Sequence, residues 1–344
     1  MPGPGTDNLI TVLGASGLLG TAVSRQLASR PGRLRLVGRR PVTVPEQPVA
    51  DVEELTLDLT RPGAVAEAVA GSDAVVHLVA HTGGPGTWRV ADGDTLAERV
   101  NLGLVHDVLD AVRAGRTAPQ PALLFAGSVS QAARMPATSA GDTPPDQPPT
   151  AYDRHKLAAE RAIEAATAEG IVRGSTLRLS TLYSQGTDST DLDRGVVSSM
   201  MRRAFAGEPL TLWNGGRAKR DFLGVDDAAA AFTAALDGLD AVSGRHWDIG
   251  TGERTSVAEL FTYIAETVAR HTGKPQVAVE ETDPAEYAMP TDEIDFVLTE
   301  SGFRQATGWR AQVPLSEGLD GLAAAVAHQL PGAARQLPGT GNRV

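Results

Sequence analysis

The sequence predicts a doubly wound α/β fold, a parallel sheet with helices on both faces. Three observations carry that expectation. A short apolar strand near the start runs into a glycine-rich turn and then a helix. Strand-like and helix-like stretches alternate from there to about residue 179. The segment Ala74-Val-Val-His-Leu-Val79 is almost continuously apolar, the pattern of a strand covered on both faces.

Leu9 to Leu13 is the first strand, and Gly14-Ala-Ser-Gly17-Leu-Leu-Gly20 is the turn. The helix after it spaces Leu19, Val23 and Leu27 by four and ends at Pro31-Gly32. This is the setting of a dinucleotide site. Gly14 permits the tight turn, Gly17 lets backbone approach a pyrophosphate, and Gly20 allows close helix–strand packing. The helix N-terminus then offers N–H groups to the phosphates. The second strand, Leu34 to Val37, ends in Gly38-Arg39-Arg40. An acid here serves the ribose hydroxyls of NAD, whereas an arginine accommodates a 2′-phosphate. With no acid present the expected cofactor is NADPH, with Arg39 as main contact and Arg40 stacking on adenine. The alternative for this pair is an ordinary basic surface loop.

Val52, Leu55 and Leu57 mark a third strand, followed by Asp58 at the adenine edge. Ala64 to Ala70 reads as a short helix. The fourth strand, Asp73 to Ala80, carries His77, which is expected to pack in the core rather than bind a ligand. It stops at Ala80-His81-Thr82-Gly83-Gly84. Ligands sit at strand C-termini in such sheets, so His81, Thr82 and Trp88 in the following loop are candidate substrate contacts. A lone loop tryptophan serves equally as a hydrophobic plug. A helix over about Thr95 to Ala114 carries Asn101.

The fifth strand, Ala122 to Ala126, ends in Gly127-Ser128-Val129-Ser130, where a serine hydroxyl is placed to bond a substrate carbonyl. A Pro-rich loop, Pro136 to Pro149, leads to Ala151-Tyr-Asp-Arg-His-Lys156. The helix opening there has no breaker until Gly170, so Tyr152 and Lys156, four apart, share one face. An ammonium beside a phenol favours the phenolate, which makes Tyr152 a candidate proton donor or acceptor. Taken alone, that spacing also describes a solvated helix face. Gly174 to Leu179 is the sixth strand, leading to Ser180-Thr181.

Beyond it the pattern changes. Val196 to Ala206 reads as a helix, Leu210 to Trp213 as a strand, and Asn214-Gly215-Gly216 as a turn. Arg217, Lys219 and Arg220 form a local positive cluster suited to a diphosphate, or simply a solvated surface. Asp226-Asp227 is expected to cap a helix from Ala228 to Leu236. Ser256-Val-Ala-Glu259 is a capping box. Gln276 to Val279 reads as a strand and Leu315 to about His328 as the last helix. The expected organisation is a dinucleotide-binding domain over 8–180, to which the chain returns around 220–248. A smaller α/β substrate-binding lobe follows over 181–329, and a Gly/Pro-rich tail over 330–344 is expected to be disordered.

Composition narrows the function classes. Hydrophobic residues make up 42% of the 344, and no apolar run approaches the ~20 residues that span a bilayer. A net charge of −11 argues against nucleic-acid and anionic-membrane partners. There are no cysteines, which excludes disulfides, thiolate metal sites and cysteine catalysis. No metal site is expected. The opening residues show no secretory pattern, so the expected location is cytoplasmic.

These landmarks, in this order, resemble the extended short-chain dehydrogenase/reductase family, with its Rossmann-type sheet, which contains nucleotide-sugar epimerases and dehydratases. The resemblance covers about Leu9 to Leu319. It rests on Gly14-x-x-Gly17-x-x-Gly20, Asp58, Asn101, Ser128, Tyr152-x-x-x-Lys156, Arg220-Asp221-Phe222 with Val225-Asp226-Asp227, and Thr307-Gly308-Trp309. It implies a catalytic set of Ser128, Tyr152 and Lys156, with Lys156 also holding the nicotinamide ribose. It implies a cofactor surface of Gly14, Ser16, Gly17, Leu18, Leu19 and Gly20, then Arg39, Arg40, Asp58, Leu59, Leu78, Ala80, Asn101, Tyr152, Lys156 and Leu179. The implied substrate contacts are His81, Thr82, Trp88, Ser128, Ser130, Tyr152, Thr181, Leu212 along the nucleobase and Arg220 on the diphosphate. Relatives often pair through two helices, so a homodimer is expected, with the Tyr152 helix as a candidate interface.

Two departures matter. The family's Arg-Pro-x-Asn after the sixth strand reads Arg178-Leu179-Ser180-Thr181 here, and its second diphosphate arginine has no evident counterpart around Met289-Pro290-Thr291-Asp292. Dehydratases carry Asp-Glu directly after the catalytic hydroxyl residue, whereas Ser128 is followed by Val129-Ser130. C4 epimerases keep a tightly held NAD and need no 2′-phosphate recognition. Val12-Leu-Gly-Ala-Ser-Gly17, Val76-His-Leu-Val-Ala-His81, Thr87-Trp-Arg89, Glu98-Arg-Val-Asn101 and Arg202-Arg-Ala-Phe-Ala-Gly-Glu-Pro-Leu210 look like bacterial deoxysugar 4-ketoreductases of antibiotic pathways. The resemblance thus implies NADPH-dependent reduction of a dTDP-4-keto-6-deoxyhexose. An NAD-holding epimerase and a non-catalytic NADP-binding regulator are the alternatives.

Overall fold

Alternating apolar strands and amphipathic helices build a seven-stranded parallel sheet. The computed structural model describes residues 8–82, 90–115, 119–132, 148–186, 193, 195–282, 294–296, 298 and 302–329. Trp88, the Pro-rich loop up to Gln147, the stretch Met289-Pro290-Thr291-Asp292 and the tail from residue 330 lie outside the described residues. In chain order the first half runs β1 (Leu9–Leu13), α1 (Leu18–Ala28), β2 (Arg33–Gly38), β3 (Asp51–Thr56), α2 (Ala64–Val69), β4 (Ala74–His77), α3 (Thr95–Glu98), α4 (Leu104–Gly115), β5 (Ala122–Ser128), α5 (Ala151–Ala168) and β6 (Arg173–Leu179). The second half runs β7 (Thr181–Tyr183), α6 (Val196–Phe205), β8 (Leu210–Trp213), β9 (Lys219–Arg220), β10 (Phe222–Gly224), α7 (Val225–Asp237), α8 (Leu239–Val242), β11 (His246–Ile249), β12 (Thr255–Ser256), α9 (Val257–Thr272), β13 (Val279–Thr282), α10 (Phe303–Thr307) and α11 (Leu315–Gln329).

The sheet order is β11-β6-β5-β4-β1-β2-β3. Strand order reverses between β1 and β4, which pair with Leu13 opposite His77. A crevice at the C-terminal ends of those two strands is where such sheets hold ligands. One face is covered by α1 and α7, whose Ala22, Val23, Ala228, Ala231 and Phe232 pack over Val12, Leu36 and Val76. The other face is covered by α2, α4 and α5 through Val65, Val105, Val108, Ala159 and Ile163. A third core joins α6, α9 and α11 around Met201, Leu260, Ile264 and Leu319, with Leu212 of β8. No helix among the described residues is long and apolar enough to cross a membrane.

Several expectations need correction. The fourth strand ends at His77, three residues early, although Leu78 N still donates to Leu13 O at 2.9 Å. The helix expected from Thr95 to Ala114 is interrupted by a π-helical turn, Arg99–Gly103, which holds Asn101. Such bulges aim one side chain differently from its neighbours and are frequent at functional sites. Asp226 and Asp227 do not cap α7, because Gly224 occupies that position and both acids lie inside the first turn. Asp226 pairs with Arg25 of α1. Asp227 accepts from the backbone N–H groups of Gln312 and Val313 at 3.0 and 3.1 Å. The strand expected at Gln276 to Val279 is β13, whose ladder with β8 begins only at Val279 opposite Leu210.

Helix α5 is fastened to the sheet by a buried ion pair. Glu160 and Arg178 are 2% and 0% exposed. Arg178 Nε donates to Oε2 at 2.9 Å and Nη2 to Oε1 at 2.5 Å, a two-pronged contact. Gln131 Nε2 adds a third bond to Glu160, at 2.8 Å. Removing one member strands the other charge in the core. Glu160→Ala is expected to lower unfolding free energy by about 3–5 kcal/mol, read by urea denaturation.

Candidate active site

The nucleotide end is set by backbone. Gly14, at φ +89°, turns the chain so that its N–H and that of Ala15 both donate to Val37 O, at 2.9 and 3.0 Å. A Cβ on Gly20 would lie 2.0 Å from Gly14 O, so only glycine lets α1 pack against the turn. A Cβ on Gly38 would meet Ser16 Oγ at 2.7 Å, which brings Ser16 against the end of β2. Helix α1 has Gly17 as N-cap, no side-chain cap and no acid in its first turn. That leaves the helix end open to an anion. The donor set fits a dinucleotide pyrophosphate.

Arg39 and Arg40 are exposed beside this turn. Arg40 Nη2 donates to Ser16 O at 3.2 Å, so in this structure it braces the turn. Asp58 is bonded by Thr60, from N at 3.0 Å and Oγ1 at 2.7 Å. Those bonds hold its carboxyl below the usual range, with Arg39 a lesser contributor. Leu59 points into the core under the sheet with Leu13 and Val37, and Leu19 into the core with Val12. Leu18 and Leu78 are half-buried, Ala80 is exposed and Leu179 is buried.

The chemical end lies on β5 and α5. Lys156 is 1% exposed, and its Nζ donates to Ala126 O at 2.9 Å. The ammonium sits 4.5 Å from the Phe125 ring centre and 5.7 Å from that of Tyr152. Burial pushes it down to about 7. Tyr152, 6% exposed, packs with Val90, Ala97 and Ala151. Burial first, and the Asp153 carboxylate second, hold its phenol above the ordinary value. Spacing alone led to the opposite expectation, an acidic Tyr152. The ammonium lies 5.7 Å from the ring centre, and burial of the phenol sets the direction.

Ser128 ends β5 and caps a single 3₁₀ turn, Val129–Gln131. Its Oγ lies 2.7 Å from Ser130 Oγ, and its N–H donates to Gln131 Oε1 at 3.0 Å. Asn101 is fully buried and grips His81 in both directions, from His81 N to Oδ1 at 2.8 Å and from Nδ2 to His81 O at 2.9 Å. It therefore positions the loop after β4, and His81 and Thr82 are left half-buried at its edge. His77 behaves as expected of a core residue. Among the described residues its ring nitrogens have no hydrogen-bond partner, it packs edge-on to Phe125 at 5.5 Å, and burial pushes it down to about 3.

On the substrate side, Thr181 opens β7 beside β10, and its N–H donates to Asp221 O at 3.0 Å. Arg220 lies over the Phe296 ring at 4.9 Å and donates to Ile294 O. Leu212 is buried in the third core. Sequence reasoning gave no role to Asp221, which is fully buried and accepts from Thr251 N, Thr251 Oγ1 and Gly252 N at 2.9, 3.0 and 2.8 Å. It thereby ties the start of β10 to the turn after β11, and Ser180 Oγ, just past β6, adds a bond to it at 3.3 Å. Gln131, Glu160 and Asp153 were also missed. Each is tied to a partner distant in sequence, Ser130 to Asp153 and Gln131 to Glu160, and no local pattern marks them.

A family model described as "NAD dependent epimerase/dehydratase family" matches residues 10–250. The chain belongs to that family. It is 26% identical to the dTDP-L-rhamnose 4-epimerase of Burkholderia thailandensis, over 93% of this chain and 95% of that one. It is also 26% identical to the dTDP-6-deoxy-L-talose 4-dehydrogenase (NAD(P)(+)) of Kitasatospora kifunensis, over 90% and 93%. Its fold matches the crystal structure of the Thermus thermophilus UDP-glucose 4-epimerase complex with NAD at a TM-score of 0.73. That alignment has 22% identity and covers 94% of this chain and 100% of the other.

The depressed Lys156 makes stability depend on pH. Its folded value lies below the unfolded one, so the unfolded chain binds more protons between about 7 and about 10.4, and stability rises with pH across that window. Lys156→Met is expected to flatten the rise, measured as denaturation midpoint against pH for the ligand-free protein.

Proposed function

We propose that this member of the NAD dependent epimerase/dehydratase family is an NADPH-dependent ketoreductase acting on the C4 ketone of a dTDP-4-keto-6-deoxyhexose. One observation carries this reading: Tyr152 and Lys156 lie buried one turn apart on α5, with Lys156 bonded to Ala126 of the strand that ends in Ser128. That set can pass a proton to a substrate oxygen, and the arginines at the end of β2 favour net reduction with NADPH. When bound, the dinucleotide supplies the hydride and, once oxidised, a positive charge.

In this reading Tyr152 gives its proton to the substrate oxygen as negative charge develops there. Lys156, buried against the same phenol, stabilises the resulting tyrosinate. Ser128 bonds the same oxygen and orients it. Arg220 holds the diphosphate, so binding energy is drawn from a group remote from the reacting carbon. The backbone of the segment Leu210 to Leu212 runs along the nucleobase, and His81, Thr82, Ser130 and Thr181 line the sugar. The preference for NADPH is supported by Arg39 and Arg40 at the end of β2, where no acid stands. The dTDP-sugar class is supported by the names of the two relatives above.

A second function is favoured by one of those names, a 4-epimerase. It predicts NAD retained through purification, and sugar inversion without net cofactor use.

Tyr152→Phe is expected to lower turnover by about 10²–10⁴-fold with dinucleotide binding intact, followed as loss of NADPH absorbance on a panel of dTDP-4-keto-6-deoxyhexoses. A near-normal rate would remove Tyr152 as the proton donor. Arg39→Ala is expected to weaken NADPH binding and leave NADH binding unchanged, measured by titration of each cofactor.

A further inference from the structure

Asp153 follows Tyr152 in sequence and has no part in the steps proposed above. It is 2% exposed, at the start of a helix whose other buried acid, Glu160, has an arginine partner. Asp153 has hydroxyls instead. Oδ1 accepts from Ser130 Oγ at 2.5 Å and Oδ2 from Thr150 Oγ1 at 2.6 Å. Ser130 Oγ in turn lies 2.7 Å from Ser128 Oγ. A continuous line of hydrogen bonds thus runs from the buried carboxyl to the hydroxyl that meets the substrate oxygen.

Proton counting gives this line two settings, since each hydroxyl has one proton to donate. With Asp153 ionised, its oxygen accepts the hydrogen bond of Ser130. The short Ser128–Ser130 contact then needs the Ser128 proton, and Ser128 presents only lone pairs to the site. With Asp153 protonated, the direction reverses. The carboxyl donates to Ser130, Ser130 donates to Ser128, and the Ser128 proton is free to point at a carbonyl oxygen. Thr150 donates to Oδ2 in both settings.

We propose that Asp153 is a positioning residue that, through Ser130, sets whether Ser128 offers its proton or its lone pairs to the substrate oxygen. This rests on the ketoreductase function above, because only a ketone requires a donor at Ser128. Burial raises the carboxyl, opposed by its bonds to Ser130 and Thr150 and by Arg154. Arg154, beside it on α5, is itself paired with Asp92. The other charges packed around α5 bear on other groups: Asp94 and Glu98 on His155, Arg178 of β6 on Glu160, and Lys156 is bonded to Ala126.

The test compares pH profiles of kcat/KM for ketone reduction with NADPH. Wild type is expected to lose about tenfold per pH unit above the Asp153 midpoint. Asp153→Asn mimics the protonated acid, with its amide nitrogen toward Ser130 and its oxygen toward Thr150, and is expected to abolish that limb. Ser130→Ala is expected to abolish it too, at a lower rate, because Ser128 loses its guide. Persistence of the limb in Asp153→Asn overturns the proposal. A second readout needs no substrate. The infrared carbonyl stretch of a protonated carboxyl, absent from Asp153→Asn, is expected to titrate above the ordinary aspartate value of about 3.9 and to shift in Ser130→Ala. Failure to find that band overturns the two-setting device. Retained turnover in Tyr152→Phe would overturn the ketoreductase function alone and leave the infrared result standing.

Discussion

A single buried ammonium, Lys156, organises the chemical end of this molecule. It is almost wholly buried, and it donates to one carbonyl of β5, Ala126 O. The same strand delivers Ser128 two residues later, and the same helix delivers Tyr152 one turn earlier. The contact that satisfies the cation therefore also sets the spacing of the serine and the phenol. One turn further along α5, the Glu160–Arg178 pair repeats the fastening with a full ion pair. Two buried polar ties on one helix leave it little freedom to slide or rotate on the sheet, as a pre-organised site requires.

The two ends of the site handle charge differently. The cofactor end relies on backbone: a glycine turn, an open helix N-terminus and two exposed arginines, in a chain whose net charge is −11. The chemical end relies on burial, which moves Lys156 down, Tyr152 up and His77 down. Each of these groups is displaced toward its neutral form.

How much of this was legible in the sequence depends on range. The strand–turn–helix unit at Gly14 to Gly20 and the four-residue step from Tyr152 to Lys156 are local, and the period of each element reports them directly. The direction of the Tyr152 shift was not legible, because neighbour identity is local while desolvation is a property of the packed molecule. Asp226 and Asp227 look like caps in sequence, yet their partners, Arg25, Gln312 and Val313, come from distant parts of the chain. The π-helical turn at Asn101 is hidden for the same reason. The apolar spacing through Leu96, Val100 and Leu104 reads as one unbroken helix, and only the grip on His81 distinguishes the bulge. The side chains of Leu59 and Leu19 lie in the two cores, a placement that the sequence pattern did not specify.

The most direct measurement of the central claim is isotopic. NADPH deuterated at the transferring position would be given with a dTDP-4-keto-6-deoxyhexose and the product examined by NMR. Hydride delivery to a carbonyl protonated by Tyr152 places deuterium on C4, with one NADPH oxidised per sugar reduced. An inverted C4 carrying only protium, with the labelled cofactor unconsumed, would contradict it.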